Sequence, residues 1–179
     1  MARILAFILL CTTFGLTISC KKDKGPAIEI NVGSEFFPEG KSTIKVKEIW
    51  LNYATKKSNS EWMKLDLAQT SFDLAELYED SRDTNLVNST VVNRLQTLLK
   101  LRIHFESEHN SLITPQDDTL SITVAPDAIA GIKTNLNHKI SESNKYRINL
   151  KIKTDSLQII GNNPVFFPEI KLAGISSIQ

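Results

Sequence analysis

The stretch that decides the fold class is residues 94–106, RLQTLLKLRIHFE. Apolar side chains recur at every second position and polar side chains fill the positions between them, which is the period of a half-buried β-strand. A helix would scatter the same residues around its axis. The alternation therefore predicts a strand with one buried face, which we expect to consist of Leu95, Thr97, Leu99, Leu101, Ile103 and Phe105.

Alternating segments continue on both sides of this strand. Within residues 43–53, TIKVKEIWLNY, the apolar side chains stand at even-numbered positions up to Glu48 and at odd-numbered positions after it. Such a change of face within one strand indicates a bulge or a crossing between sheets. Residues 72–78, FDLAELY, fit a short strand or one helical turn. The other predicted strands lie at residues 28–32, 61–67, 119–124, 129–136, 146–153, 157–160 and 165–172.

Many short strands at regular spacing, without a long helix, predict a mainly all-β fold. We expect a single domain over residues 28–179, built as an antiparallel two-sheet β-sandwich with room for one short helical turn. A closed barrel is the alternative.

The N-terminus has the three-part layout of a secretory signal peptide. Arg3 is followed by an apolar run over residues 4–18, and the polar segment KKDKGP follows Ser19 and Cys20. As a helix the apolar run would measure about 22 Å, which is short for a hydrocarbon core of about 30 Å. We therefore predict that residues 1–19 are a cleaved leader, against the alternative of an uncleaved anchor helix.

The end of this leader, LTISC at residues 16–20, resembles the lipobox of bacterial lipoproteins. The resemblance implies that the Cys20 thiol receives diacylglycerol and that cleavage makes Cys20 the new N-terminus. Thr17 departs from the usual leucine three places before the cysteine. Residues 20–27 would then be the lipidated cysteine and a tether, and the anchor would be acyl chains, such as palmitate, in a membrane of the cell envelope.

Composition excludes several function classes. Lys and Arg total 21 and Asp and Glu total 20; only Arg3 precedes Cys20, so the charge balance from there onward is zero. A neutral balance gives no reason to expect a nucleic-acid partner or adhesion to an anionic bilayer. Cys11 and Cys20 are the two cysteines, so the folded part contains no disulfide and no thiolate metal site. We expect no cofactor.

The order of segments resembles DUF4382, a bacterial family of unknown function. The resemblance covers most of residues 44–172 and rests on VKEIWLNY, EWMKLDL, FDLAEL, RLQTLLKLRI, TLSITVAPDAIAGIKTNL, YRINLKIK and FFPEIKL. Members are often secreted or lipid-anchored, so the resemblance implies an extracytoplasmic β domain. Together with the leader, it looks like a lipoprotein of Bacteroidota, where the outer membrane is the expected location.

No residue pattern indicates catalysis, and we predict that the chain is not an enzyme. The histidines are His104, His109 and His138, and none belongs to a metalloprotease or hydrolase motif. We expect His104 on the polar face of its strand and the other two in loops, all solvated. The acidic segment with Glu76, Glu79, Asp80, Asp83 and Asn85 lacks the spacing of an EF-hand loop, so we predict no metal site.

Two short motifs and one group of aromatic residues remain as candidates. Thr119 in Asp118-Thr119-Leu120 and Ser156 in Asp155-Ser156-Leu157 resemble the O-glycosylation motif of exported Bacteroidota proteins. Aromatic residues on strands usually pack in the core, but exposed ones can stack on sugars. The candidates are Trp50, Tyr53, Trp62 and Tyr78, and we expect that Trp62 is exposed, because it lies on the opposite strand face from Met63 and Leu65.

Three function hypotheses follow from the sequence. The first is a binding or structural module of the cell envelope, with a protein or polysaccharide partner. The second is a carbohydrate-binding accessory protein, which an exposed aromatic patch would favour. The third is a hydrolase assembled from scattered carboxylates, which two facing carboxylates at ~5–9 Å would favour.

Overall fold

The computed structural model describes residues 26–35, 39–79, 84–91, 95–141, 144–153 and 155–178. The leader and Cys20 lie outside the described residues. Most described residues belong to strands and two short helices complete the fold, so the prediction of a mainly-β sandwich is confirmed. Neither helix in the described part of the chain is long and apolar enough to cross a membrane.

The strands are numbered in chain order: β1 (Ala27–Ser34), β2 (Lys41–Thr55), β3 (Glu61–Leu65), β4 (Ser71–Phe72), β5 (Thr84–Val91), β6 (Leu95–Phe105), β7 (Ser111–Ile113), β8 (Thr119–Ser121), β9 (Thr123–Val124), β10 (Ile132–Lys139), β11 (Lys145–Ile152), β12 (Leu157–Ile160), β13 (Asn163–Phe166) and β14 (Ile170–Ile178). The helices are α1 (Leu74–Glu79) and α2 (Pro126–Ala130).

The strands form two main sheets and a small third one. The first sheet has the order β14-β11-β1-β5. The large sheet has the order β10-β6-β2-β7-β8, and β3 and β4 also pair with β2. The small sheet has the order β12-β13-β9. Most pairs are antiparallel as expected, but β1–β11 and β13–β9 are parallel. β1 lies between β11 and β5 rather than beside β2, its neighbour in the chain.

The core lies between the two main sheets. Ile28 and Ile30 of β1 face it from the first sheet, and Ile49 and Leu51 of β2 face it from the large sheet, all with no measurable exposure. They belong to one continuous apolar cluster. Each fully buried aliphatic side chain contributes about 1.5–3 kcal/mol relative to an exposed one, so this cluster is the main source of stability.

Strand β6 departs from the predicted alternation at two points, because its register with β2 shifts between Lys100 and Leu98 and again between Thr97 and Leu95. Thr97, expected on the buried face, is therefore only partly buried. Leu98 is fully buried, whereas Leu99 is only partly buried, so the expectation that Leu99 belongs to the core face is wrong. The register explains the change: Asn52 of β2 pairs with Lys100, but Tyr53 pairs with Leu98, which leaves Leu99 as the extra residue of a bulge. A bulge exchanges the two faces of a strand, and a purely period-2 interpretation misses it.

Two other segments differ in part from the sequence interpretation. Residues 72–78 contain both predicted alternatives, because β4 ends at Phe72 and α1 starts at Leu74. Asp73 between them accepts a hydrogen bond from the Ala75 N–H at 2.9 Å, as a helix N-cap does. The extended segment predicted at residues 129–136 is wrong at its start, because α2 continues to Ala130 and β10 begins at Ile132.

Candidate functional site

The solvent-facing side of the large sheet carries a group of aromatic and charged side chains. Across β2, Trp50 pairs with Lys64 of β3 on one side and with Arg102 of β6 on the other. Successive side chains of a strand point to opposite faces, so these residues lie on the side away from the core. The group, here termed the aromatic–charged patch, consists of Glu48, Trp50, Trp62, Lys64, Arg102 and His104.

A bulge in β2 places Glu48 and Trp50 on this face. The register shifts between Val46 and Glu48, and the buried positions move from Val46 to Ile49 and Leu51. The parity switch expected from the sequence is thus confirmed as a bulge. Without it, Glu48 would share the face of Val46 and point into the core, where an ionised carboxylate is costly.

Glu48 is the electrostatic centre of the patch. A hydrogen bond from the Trp50 side chain, together with Lys64, lowers the pKa of the Glu48 carboxyl below its ordinary value. The Lys64 Nζ lies 3.0 Å from Glu48 Oε2, and the Glu48 side chain keeps 22% of its surface exposed. A partly exposed carboxylate that stays ionised can accept hydrogen bonds from a ligand.

His104 is held in place rather than solvated, which corrects the sequence expectation. Its Nδ1 lies 3.1 Å from the Ile129 carbonyl oxygen, so this nitrogen carries the proton and donates it. Its Nε2 lies 4.0 Å from Glu48 Oε1, and only 16% of the side chain is exposed. The cause is α2 together with Gly131 directly after it, which packs on β6.

Gly131 makes this close approach possible. A side-chain carbon at position 131 would lie 2.7 Å from His104 Cε1 and 2.9 Å from Arg102 Cδ. The backbone there also has a φ of 107°, which side chains other than glycine rarely adopt. The segment from α2 to β10 therefore packs directly on the two β6 side chains.

Arg102 and Trp62 stack on each other at the surface of the patch. The Arg102 guanidinium lies 4.7 Å from the centre of the Trp62 ring, and Trp62 is 40% exposed. The expectation of an exposed Trp62 is confirmed. Arg102 also borders a shallow depression of about 500 Å³, whose other lining residues are Asp127, Ala130, Gly131, Ile132 and Lys133.

The remaining aromatic candidates do not extend this surface. Tyr53 is partly buried against the core and donates a hydrogen bond to Glu61 Oε2 at 3.1 Å. Burial and this hydrogen bond raise the pKa of Tyr53 above its ordinary value. Tyr78 is 52% exposed but lies on α1, a helix that packs against β1 and β2 and belongs to no strand of the patch.

The three histidines lie on separate elements. His138 is in β10, not in a loop as expected, and packs edge-on against Tyr146 with ring centres 5.9 Å apart. His109 is in the loop after β6, with a φ of 62°. Asp80 and Asp83 of the acidic segment lie outside the described residues. In the part of the chain that the structure describes, no group of three His, Cys, Asp or Glu side chains could hold a metal ion.

The two candidate glycosylation residues have different surroundings. Thr119 is exposed at the first position of β8, an outer strand of the large sheet. Ser156 is fully buried, and its Oγ accepts a hydrogen bond from the Glu169 N–H at 3.1 Å. A glycan on Ser156 would therefore require attachment before this segment folds, whereas Thr119 is accessible in the folded chain.

The sequence interpretation missed Lys64, Arg102 and Gly131 as parts of a site. A signal for Arg102 existed, because it shares the polar face of β6 with His104, opposite the apolar residues. The signal for Gly131 was its position directly before a strand. The pairing of β2 between β3 and β6, which joins these side chains, is a tertiary feature that spacing along the chain does not encode.

No family model, curated protein or solved structure matches this chain. The resemblance to DUF4382 therefore stays a prediction that rests on the sequence segments given above.

Proposed function

We propose that the chain is a lipoprotein of the cell envelope, anchored through Cys20, whose β-sandwich binds a protein or polysaccharide partner outside the cytoplasm. The anchoring part rests on the leader and on the lipobox-like LTISC. It is supported by the position of the domain, since β1 begins at Ala27 and leaves a tether of only a few residues after Cys20.

The binding part rests on one observation, the stacking of Trp62 and Arg102 beside the ionised Glu48. These groups stand on neighbouring strands of one sheet, so their positions are fixed before a partner arrives and less ordering entropy is lost on binding. Trp and Arg are also the residue types that contribute most at binding surfaces. The patch combines a ring face, a fixed cation and a fixed anion.

The anchoring is tested by separating membrane and soluble fractions of cells that produce either the natural chain or the Cys20→Ala variant. The natural chain should partition into the membrane and detergent phases. The variant should appear in the soluble fraction or accumulate as an unprocessed precursor, and the control Cys11→Ala should behave like the natural chain. Equal partitioning of the Cys20→Ala variant would contradict anchoring through this residue.

Carbohydrate binding is the more specific form of this proposal, and the exposure of Trp62 favours it. Sugar rings stack on exposed tryptophan faces, while carboxylate and guanidinium groups hydrogen-bond to their hydroxyls. Binding of the purified chain to a panel of envelope polysaccharides distinguishes this form from protein binding. Retention of a polysaccharide that is lost in Trp62→Ala would support it.

We also propose that the domain has no turnover activity. The competing hypothesis, a carboxylate-based hydrolase, would use Glu48 with His104 beside it. It is tested by screening glycoside, peptide and ester substrates with the natural chain and with Glu48→Gln, with and without Ca²⁺ and Zn²⁺. Turnover that disappears in Glu48→Gln, while the far-UV circular dichroism spectrum is retained, would favour the hydrolase.

A further inference from the structure

The outward face around the aromatic–charged patch divides into two halves of different charge. In the paired segments that form it, residues 48–52, 62–65, 100–104 and 132–135, the charged side chains apart from His104 are Glu48, Lys64, Lys100, Arg102 and Lys133. On the β2–β3 side, Glu48 pairs with Lys64, and Asp66 comes directly after β3. On the β6–β10 side, the three basic residues have no carboxylate within ion-pair distance in the described part of the chain.

Two of these basic residues lie directly opposite each other. Arg102 of β6 and Lys133 of β10 are cross-strand partners. Residues in such positions have Cβ atoms about 4.5–5.5 Å apart, and like charges there destabilise the pair. Lys100, two positions before Arg102 on the same face, is exposed and adds to the positive potential. An anion that contacts Arg102 and Lys133 would remove the repulsion between them.

The shallow depression beside Arg102 offers a place for such an anion. Its volume of about 500 Å³ falls within the range of about 300–1,000 Å³ that is usual for small-ligand sites. Arg102, Lys133 and Asp127 are its charged lining residues, so two cations and one carboxylate leave it with a net positive charge. Asp127 forms no ion pair with either cation among the described residues, so both cations remain available to a ligand.

The Arg102 guanidinium is positioned but lacks an acceptor. Its stack on Trp62 fixes the plane of the group, and its Nε is buried without a hydrogen-bond partner among the described residues. The two terminal nitrogens of a guanidinium can donate in parallel to both oxygens of one carboxylate. Trp62 is 40% exposed beside it, so a ring that contacts the indole lies within reach of the same guanidinium.

We propose that the ligand of this site is an acidic polysaccharide. The carboxylate of one sugar unit binds Arg102 and Lys133 in the depression, and the sugar ring contacts the exposed part of Trp62. This inference rests on the proposed carbohydrate binding and names its ligand class. A neutral sugar would leave the like-charged pair without a counter-ion, whereas a uronic acid supplies one together with a ring that can lie against an indole.

The first test compares acids with their neutral esters. The full mature protein, purified in detergent, is titrated calorimetrically with polygalacturonate, alginate and a glucuronan, and with the methyl ester of each. At least one polyuronate should bind, and its ester should bind at least about tenfold more weakly, because esterification removes the charge and leaves the ring unchanged. Binding should also weaken at about 1 M salt, where the Debye length shortens to about 3 Å.

The outcomes separate this inference from the proposal beneath it. Equal affinity for an acid and its ester, or retention of neutral polysaccharides alone, would overturn the acidic ligand and leave carbohydrate binding intact. Binding of dextran sulfate without any polyuronate would overturn the carboxylate assignment. Failure to bind every acidic and neutral polysaccharide, with a protein retained instead, would overturn both proposals.

The second test places the carboxylate at Arg102 and Lys133. Arg102→Gln should weaken binding of the polyuronate at least about tenfold, and Arg102→Lys should weaken it less, because it keeps the charge but loses the parallel donors. Lys133→Gln should cost about threefold, as a solvent-exposed charge contact does. Neither Gln variant should change the affinity for the methyl ester.

The matched control is Lys41→Gln, an exposed lysine at the start of β2, which should bind the polyuronate like the natural chain. Equal losses in Lys41→Gln and Lys133→Gln would show charge attraction without a site and overturn the inference. Far-UV circular dichroism checks the fold of each variant. Lys133 is exposed, so Lys133→Gln decides the matter even if the Arg102 variants fail to fold.

Discussion

The guanidinium carbon of Arg102 lies 4.7 Å from the centre of the Trp62 ring, and the two side chains meet across strand β2. The contact joins residues on two strands that are not neighbours in the sheet. It thereby holds the tryptophan ring in one orientation while leaving 40% of Trp62 exposed. Such a stack is typical of surfaces that recognise ring-shaped or aromatic groups.

The first prediction concerns this stack. Trp62→Ala should weaken binding of the partner at least about tenfold, because central aromatic residues contribute most of the energy at such surfaces. Isothermal titration calorimetry on a polysaccharide or protein retained by the natural chain measures the change. The matched control is Phe167→Ala, which removes another exposed aromatic residue, 41% accessible, outside the patch. Equal affinities for the two variants would exclude the patch as the binding surface.

The second prediction tests the bulge in β6. Leu98→Ala and Ile103→Ala should each lower the free energy of unfolding by ~2–5 kcal/mol, since both side chains are buried. Leu99→Ala should cost clearly less, and Lys100→Ala less than about 0.5 kcal/mol. Urea denaturation of the four variants gives the values. A larger loss for Leu99→Ala than for Leu98→Ala would mean that the bulge is absent.

The third prediction concerns the cap of α1. Asp73 is buried and its Oδ1 accepts hydrogen bonds from the N–H groups of Ser42 and Ala75 and from the Ser42 hydroxyl. Asp73→Ala leaves these donors without an acceptor, so it should destabilise the fold by about 2–3 kcal/mol. Thermal or urea unfolding measures this loss. The exposed control Asp118→Ala should stay within about 0.5 kcal/mol of the natural chain, and similar losses in both variants would contradict the capping role.

The fourth prediction is a pH dependence set by Glu29 on the outer side of the first sheet. Burial alone would raise the pKa of this carboxyl, but hydrogen bonds and charge from Lys145 and Arg147 outweigh burial and lower it below 4.5. An acid with a depressed folded-state pKa stabilises the fold above its unfolded-state pKa, and the stabilisation disappears as the pH falls through the folded-state value.

The free energy of unfolding should therefore fall below pH 4.5 in the natural chain, and the fall should be shallower in Glu29→Gln. Urea titrations at several pH values between neutrality and about pH 3 measure both slopes. Glu39→Gln, at an exposed loop position, serves as the control and should keep the slope of the natural chain. An identical slope in Glu29→Gln would show that this ion pair does not contribute.

Local sequence patterns predicted most of the fold because side-chain alternation is a local property. The bulge near Glu48 could be predicted, since the apolar residues before and after it stand on alternating positions of opposite number, even before and odd after. The bulge at Leu99 was hidden, because Leu98 and Leu99 are both leucines and either one satisfies the pattern. The parallel pairing of β1 with β11 was equally hidden, since partners more than 100 residues apart leave no trace in spacing.

The candidate site was predicted less well, and for a related reason. Trp62 was expected to be exposed and is, because its side chain points to the opposite face of the strand from those of Met63 and Leu65. His104 was expected to be solvated, but the turn at Gly131 covers it, and this contact depends on how α2 packs on β6.

Anchoring through Cys20 is the central claim, and the mass of the mature N-terminus tests it most directly. The protein is purified from the membranes of its natural host, digested, and the N-terminal peptide is measured by mass spectrometry. The account predicts that residues 1–19 are absent and that the first residue is Cys20 carrying diacylglycerol. A mature chain that retains residues 1–19, or that starts at an unmodified residue, would contradict it.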